Sequence, residues 1–145
     1  MKRTILSGAA CPFILKPDSI EQGLTNEILV KFCSAGFIIA GMKQVRFSQA
    51  MVKSFYYKNV GESYFEDLEK YMISRDVFAG LLYRNDGENV FTLARKLAGA
   101  TNPLKADIGT IRRDLFIPKK FGVKNLVHIS DSLKSSLRDR KILTL

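Results

Sequence analysis

Val77-Phe78-Ala79-Gly80-Leu81-Leu82-Tyr83 carries no charged side chain. Alternate residues of a strand point to opposite faces, so an unbroken apolar run calls for cover on both. The stretch predicts a central strand in a layered sheet. Asn85-Asp86-Gly87 follows it as a turn signal.

Hydrophobic spacing orders the chain outward from that strand. Upstream, Phe65, Leu68 and Met72 share one face of a short helix, and Gly61 separates it from another helix that Ser48 caps and that runs to about Lys58. Residues 37–47 read as a strand whose second half puts Val45 and Phe47 on one face and Gln44 and Arg46 on the other. Ile20, Leu24, Ile28 and Phe32 recur every four residues and predict one helix, capped by Asp18 or Ser19 and stopped at Gly36. Residues 11–16 are apolar and extended until Lys16-Pro17, because the residue before proline avoids the helical region. Downstream, Val90, Leu93, Ala94 and Leu97 define a helix that Gly99 closes. Residues 100–124 lack clean periodicity and hold the turn residues Asn102-Pro103, Gly109, Pro118 and Gly122. Leu126-Val127 opens a last short strand, and residues 130–140 form a final helix.

That order predicts an α+β fold of the ferredoxin-like sandwich type, a four-stranded antiparallel sheet covered by helices. The 145 residues show no linker or repeat, so residues 1–145 read as a single domain.

The net charge is +9. Such a surface suits nucleic acid, an anionic membrane or a small polyanion such as a nucleotide. The longest apolar run, 35–42, falls well short of the roughly 20 residues of a membrane span. Lys2-Arg3 ahead of the weakly apolar stretch 4–11 has the outline of a leader, but Pro12 and Lys16-Pro17-Asp18 interrupt it, and it reads as the approach to the first strand. Cys11 and Cys33 form no C-x-x-C pair, which favours two reduced cytosolic thiols over a disulfide. The phosphate loop G-x-x-x-x-G-K-[ST], the dinucleotide motif G-x-G-x-x-G and a nucleophile elbow are all missing, and one histidine with two distant cysteines makes no structural zinc site.

Three features carry chemistry. Lys16 stands at the end of the first strand, where a side chain projects into a site; the bland alternative is a solvated lysine. Arg95, Thr101 and Arg112 stand in or beside the basic irregular stretch, and guanidinium forks match phosphate oxygens in a bidentate geometry. A solvated basic loop is the alternative there. Asn125-Leu126-Val127-His128-Ile129-Ser130-Asp131 places the lone histidine at a strand-to-helix junction. An imidazole of ordinary pKa, about 6.5, is largely neutral at physiological pH and is a competent nucleophile. The alternative is a core histidine satisfied by hydrogen bonds.

Leu15-Lys16-Pro17-Asp18, Gly99-Ala100-Thr101-Asn102-Pro103, Gly109-Thr110-Ile111-Arg112 and Asn125-Leu126-Val127-His128-Ile129-Ser130-Asp131-Ser132 occur in this order. With them the chain resembles the nucleoside diphosphate kinases from about Phe13 to Asp139. The resemblance implies a ping-pong reaction, in which a nucleoside triphosphate gives its terminal phosphoryl group to a histidine and a nucleoside diphosphate takes it back. By position it implies that His128 is phosphorylated, that Lys16 reaches the transferring phosphate and the sugar, and that Tyr56 stands beside it. It implies a phosphate clamp of Arg95, Thr101 and Arg112, ribose contacts from Asn125, and a base stacked on Tyr64 and Leu68 with broad base specificity. Ser130 and Asp139 support the histidine. Magnesium arrives on the nucleotide and needs no protein metal cage. The resemblance further implies a cytoplasmic enzyme that self-associates, as a hexamer over a tetramer.

The chain also departs from the family pattern. Tyr64 replaces a usual phenylalanine and Arg113 a usual glycine. Ile129 replaces a glycine or alanine, predicting a crowded site or a shifted backbone. Asp139 replaces a glutamate one methylene longer, predicting a lost or water-mediated hydrogen bond to His128. Residues 83–87 look longer than usual, 119–122 look inserted, and the usual tail is missing. Two other readings stand beside the kinase: a divergent, weakly active or inactive member kept for nucleotide binding or regulation, and a basic nucleic-acid-binding domain. The second would need aromatic residues interleaved with the charges on one face, which the sequence lacks.

Overall fold

The computed structural model describes residues 9–116 and 124–145. Residues 1–8 and the expected insertion at 119–122 lie outside the described residues. Among the described residues, four strands form one sheet: β1 (Cys11–Leu15), β2 (Ile38–Val45), β3 (Val77–Tyr83) and β4 (Val127–Ile129). Their order is β2-β3-β1-β4, and every neighbouring pair is antiparallel. The helices are α1 (Pro17–Glu21), α2 (Thr25–Ser34), α3 (Gln49–Phe55), α4 (Phe65–Ile73), α5 (Val90–Ala98), α6 (Ile111–Asp114) and α7 (Leu133–Leu143).

Both faces of the sheet are covered, as the apolar run of β3 requires. Phe13 and Leu15 of β1 pack with Ile28 and Phe32 of α2 and with Val90, Phe91 and Ala94 of α5. Ile14, one residue out of phase, packs the other way, among Val52 and Phe55 of α3 and Leu68 and Met72 of α4. Val45 and Phe47 are buried while Gln44 and Arg46 are exposed, as their alternation predicts.

Four boundaries differ from expectation, the first being the helix expected to run to about Lys58, which ends at Phe55 and is followed by a 3-10 turn, Tyr57–Asn59. The single helix predicted from Ile20 to Phe32 is two, because the chain turns at Gln22-Gly23 with Gly23 at φ +69°. Lys16, not Asp18 or Ser19, is the N-cap of α1, which suits Pro17 at the first helical position. The final helix starts three residues later than predicted, because Ser132 and Ser135 form a reciprocal capping box there. Those shifts release Asp18, Ser130 and Asp131 for other contacts.

Candidate active site

β4 is an edge strand, and in its pairing with β1 His128 stands opposite Ile14. The imidazole therefore points to the α3 side of the sheet, where the Phe55 ring meets it edge-on at 4.6 Å and the Tyr56 ring at 6.1 Å. Its Nε2 lies 3.4 Å from Oδ2 of Asp139 on α7. An ionised carboxylate only accepts hydrogen bonds, so this contact puts the proton on Nε2 and leaves the lone pair on Nδ1. Asp139 is fully buried, and Ser130 Oγ donates to the same Oδ2 at 2.5 Å. The bond expected to be lost or bridged by water is thus direct, though long, because Asp139 is drawn toward β4 by Ser130. Burial opposes ionisation of Asp139, but the bonds from His128 and Ser130 more than offset it and hold its pKa below the usual value. Burial also lowers the His128 pKa, against the opposing pull of Asp139, with Lys16 and Arg112 adding to the depression. The ring is kept neutral.

The approach to His128 is a strained turn. Leu126 has φ +70°, and Val127 N donates to Asn125 O at 2.8 Å, closing a γ-turn. The Leu126 amide donates to Asp18 Oδ2 at 3.1 Å, and its carbonyl accepts from Lys16 N at 2.9 Å. These bonds hold in place a conformation unfavourable for a leucine. Ile129, expected to crowd the site or shift its backbone, stays in register opposite Phe13 and lines the cavity beside His128, and the positive φ falls at Leu126.

A cavity of about 600 Å³ opens beside His128. Lys16, Tyr56, Arg95, Thr101, Arg112, Asn125 and His128 all line it, although they come from separate elements. Lys16 is nearly buried, and its Nζ donates to Asn125 Oδ1 at 2.7 Å. Burial pushes its pKa down to about 7 despite the nearby Asp18 carboxylate. Asn125 Nδ2 donates to the Thr101 carbonyl at 3.1 Å, tying the two halves of the cavity wall. Arg112 donates through Nε to Asn125 O, through one terminal nitrogen to Gly99 O and through the other to Val127 O, at 3.1, 2.9 and 2.6 Å. A guanidinium has five N–H groups, so two remain for an anion. Gly99 makes this possible: at φ +91°, an added Cβ would meet Thr110 Oγ1 at 2.6 Å.

Tyr64 and Leu68 do not line this cavity. Leu68 is packed in the core, and Tyr64 is exposed at the N-cap of α4, its hydroxyl accepting from Asn59 Nδ2 at 2.6 Å. Sequence reasoning missed Phe55, Asp18 and Tyr71. Asp18 accepts from the Tyr71 hydroxyl as well as from Leu126 N, and Tyr71 lies under Lys16 Nζ at 5.5 Å from the ring centroid. The one signal for Asp18 was its place in the Lys16-Pro17-Asp18 motif. Lys96, Lys105, Asp107 and Asp131 complete the charged lining.

A neutral imidazole set among lysine and arginine side chains on a helix-covered antiparallel sheet has the groups that a phosphotransferase working through histidine needs. The family model described as nucleoside diphosphate kinase matches residues 11–143, and the chain belongs to that family. It is similar to the nucleoside diphosphate kinase of Methanosphaera stadtmanae, 40% identical over 126 residues that cover 87% of this chain and 79% of that one. The Desulforamulus reducens enzyme is 37% identical over 142 residues, covering 96% and 85%. Among solved structures, the Encephalitozoon cuniculi enzyme superposes with a TM-score of 0.84 at 27% identity, covering 93% of this chain and 88% of that one. The Aquifex aeolicus enzyme gives 0.81 at 29%, covering 92% and 93%.

Proposed function

We infer that this chain transfers the terminal phosphoryl group of a nucleoside triphosphate to a nucleoside diphosphate by a ping-pong route through phosphohistidine on His128. The observation that carries the assignment to His128 is its setting: Nε2 on Asp139, Nδ1 left with the lone pair, and the residue in the lining of the cationic cavity. In the first half-reaction, Nδ1 attacks the terminal phosphorus in line, the bond from phosphorus to the bridging oxygen breaks, and the nucleoside diphosphate leaves. In the second, an incoming diphosphate oxygen takes the group and restores the imidazole.

Lys16 and the two remaining Arg112 N–H groups meet the charge that spreads over the transferring oxygens. Arg95 and the Thr101 hydroxyl hold the inner phosphates, and Asn125 takes the ribose hydroxyls. Tyr56, whose phenol is kept protonated by burial, packs the ring of His128 beside Lys16. The base extends past the phosphate cavity to stack on exposed Tyr64, without the core residue Leu68, and stacking tolerates any base. Magnesium travels on the nucleotide: the cavity wall is mainly cationic, so the phosphate oxygens are its natural ligands, and it neutralises charge between them. The assembly expected is a homo-oligomer, a hexamer over a tetramer, in the cytoplasm. No helix among the described residues is long and apolar enough to cross a membrane.

Initial velocities at several fixed concentrations of triphosphate and diphosphate test the route. Parallel double-reciprocal lines, with every common base accepted, are the expected result. Intersecting lines would place both nucleotides on the protein at once and exclude a phosphohistidine intermediate.

A further inference from the structure

We propose that Arg138 is a positioning residue: stacked on Tyr57, its guanidinium holds the Asp139 carboxylate in the orientation that sets His128 for phosphoryl transfer. The inference rests on the reading of His128 as the nucleophile.

The two oxygens of Asp139 have different partners. Oδ2 takes Ser130 and His128, and Oδ1 takes a terminal nitrogen of Arg138 at 3.3 Å. The last torsion of an aspartate is soft. Ser130 anchors Oδ2, but a single short bond leaves the carboxylate able to turn about that oxygen, and the 3.4 Å contact to His128 adds little against it. A donor on Oδ1 opposes that turn. Arg138 needs a hold of its own, because its side chain is 36% exposed while that of Asp139 is 1% exposed. Tyr57 supplies it: the guanidinium carbon lies 4.6 Å from the ring centroid.

Tyr57, Arg138 and Asp139 line a separate cavity of about 240 Å³ that shares His128 with the larger one. None of the three lines the larger cavity. Arg138 therefore reaches the reaction through Asp139 and not through the nucleotide.

The charged and titratable groups around His128 are Asp139 from α7, Lys16 from the β1–α1 junction and Arg112 from α6. Around Asp139 they are His128, Arg138, the Cys11 thiol of β1 and the Tyr56 phenol. With Arg138 removed, the carboxylate is free to turn away from Nε2, so a proton on His128 loses the partner that stabilises it. The acid limb of the rate profile then moves to lower pH.

The test compares wild type with Arg138→Met, Arg138→Lys, Tyr57→Leu and the Arg138→Met/Tyr57→Leu pair, using ATP as donor between pH 5 and 9. Arg138→Met is expected to lower kcat about tenfold, leave KM within about twofold and move the acid limb to lower pH. Arg138→Lys restores the limb and much of the rate. Tyr57→Leu costs less, and adds nothing in the Arg138→Met background. An unchanged Arg138→Met overturns the proposal. So does a lower kcat with an unmoved limb and no rescue by lysine, which marks a folding defect. If wild-type protein takes no phosphoryl group from ATP, the reading of His128 fails first and this inference with it.

Discussion

Nε2 of His128 and Oδ2 of Asp139 stand 3.4 Å apart, with Asp139 buried and already held by Ser130. The acid fixes which nitrogen of the ring keeps a lone pair for the proposed transfer. Asp139→Asn removes the charge and offers a donor in its place, so the tautomer preference is lost. We expect kcat to fall about tenfold to a hundredfold with KM little changed. The acid limb moves to lower pH, because the anion that favours the imidazolium is gone. Steady-state kinetics from pH 5 to 9 check both.

Burial of Lys16 makes nucleotide capture pH-dependent. Its pKa of about 7 in the free protein places a basic limb of kcat/KM near neutrality. A bound polyphosphate favours the charged amine, so the basic limb of kcat lies at higher pH. The acid limb falls below the ordinary histidine value of about 6.5, since His128 is shifted down. Paired profiles of kcat and kcat/KM read all three.

The same lysine links stability to pH. Its folded pKa lies below its unfolded one, so between them the unfolded chain binds more protons and stability rises with pH. The Cys11 thiol, raised to about 12, works the opposite way above its ordinary pKa near 9. The clean window is pH 7 to 9. There the stability of wild type relative to Lys16→Met is expected to rise, as followed by urea unfolding. Lys16→Met is also expected to be the more stable protein at pH 7 and nearly inactive.

Arg112 spends three nitrogens on the carbonyls of Gly99, Asn125 and Val127. A lysine has no planar fork to replace them. Arg112→Lys is expected to lower kcat/KM about a hundredfold and stability by about 2 kcal/mol, since hydrogen bonds from charged donors are worth roughly 1.5–3 kcal/mol each. Kinetics and urea unfolding on one preparation measure both losses.

The sheet was legible because its signals are local. A run of apolar residues from Val77 to Tyr83 means cover on both faces whatever the rest of the chain does. The split of the first helix was less legible, since the four-residue spacing of Ile20, Leu24 and Ile28 continues straight across the turn at Gly23. In the site, Lys16, Thr101, Arg112, Asn125 and His128 were readable from short motifs in order, and Arg95 from its position just before the basic stretch. The strain at Leu126, the ring of Phe55 and the grip of Arg138 on Asp139 were not, because they exist only once α3, β4 and α7 are packed together. Ile129 and Asp139 looked like damage in the sequence. In the structure Ile129 keeps the register of β4, and Asp139 reaches His128 directly.

Gly99 links fold to site. Its φ is +91°, and a methyl there would sit 2.6 Å from Thr110 Oγ1 and 2.7 Å from Thr110 Cβ. Gly99→Ala is expected to cost about 2 kcal/mol and to move the carbonyl that anchors Arg112. Urea unfolding reads the stability loss, and a raised KM for the diphosphate reads the displacement.

Phosphoryl transfer through His128 leaves a covalent trace. Incubation with terminally labelled ATP and magnesium, followed by separation of the protein, detects it. Wild-type protein is expected to carry stoichiometric label that is acid-labile and alkali-stable, absent in His128→Ala and removed by any nucleoside diphosphate. Unlabelled wild-type protein, or label that persists in His128→Ala, would contradict transfer through His128.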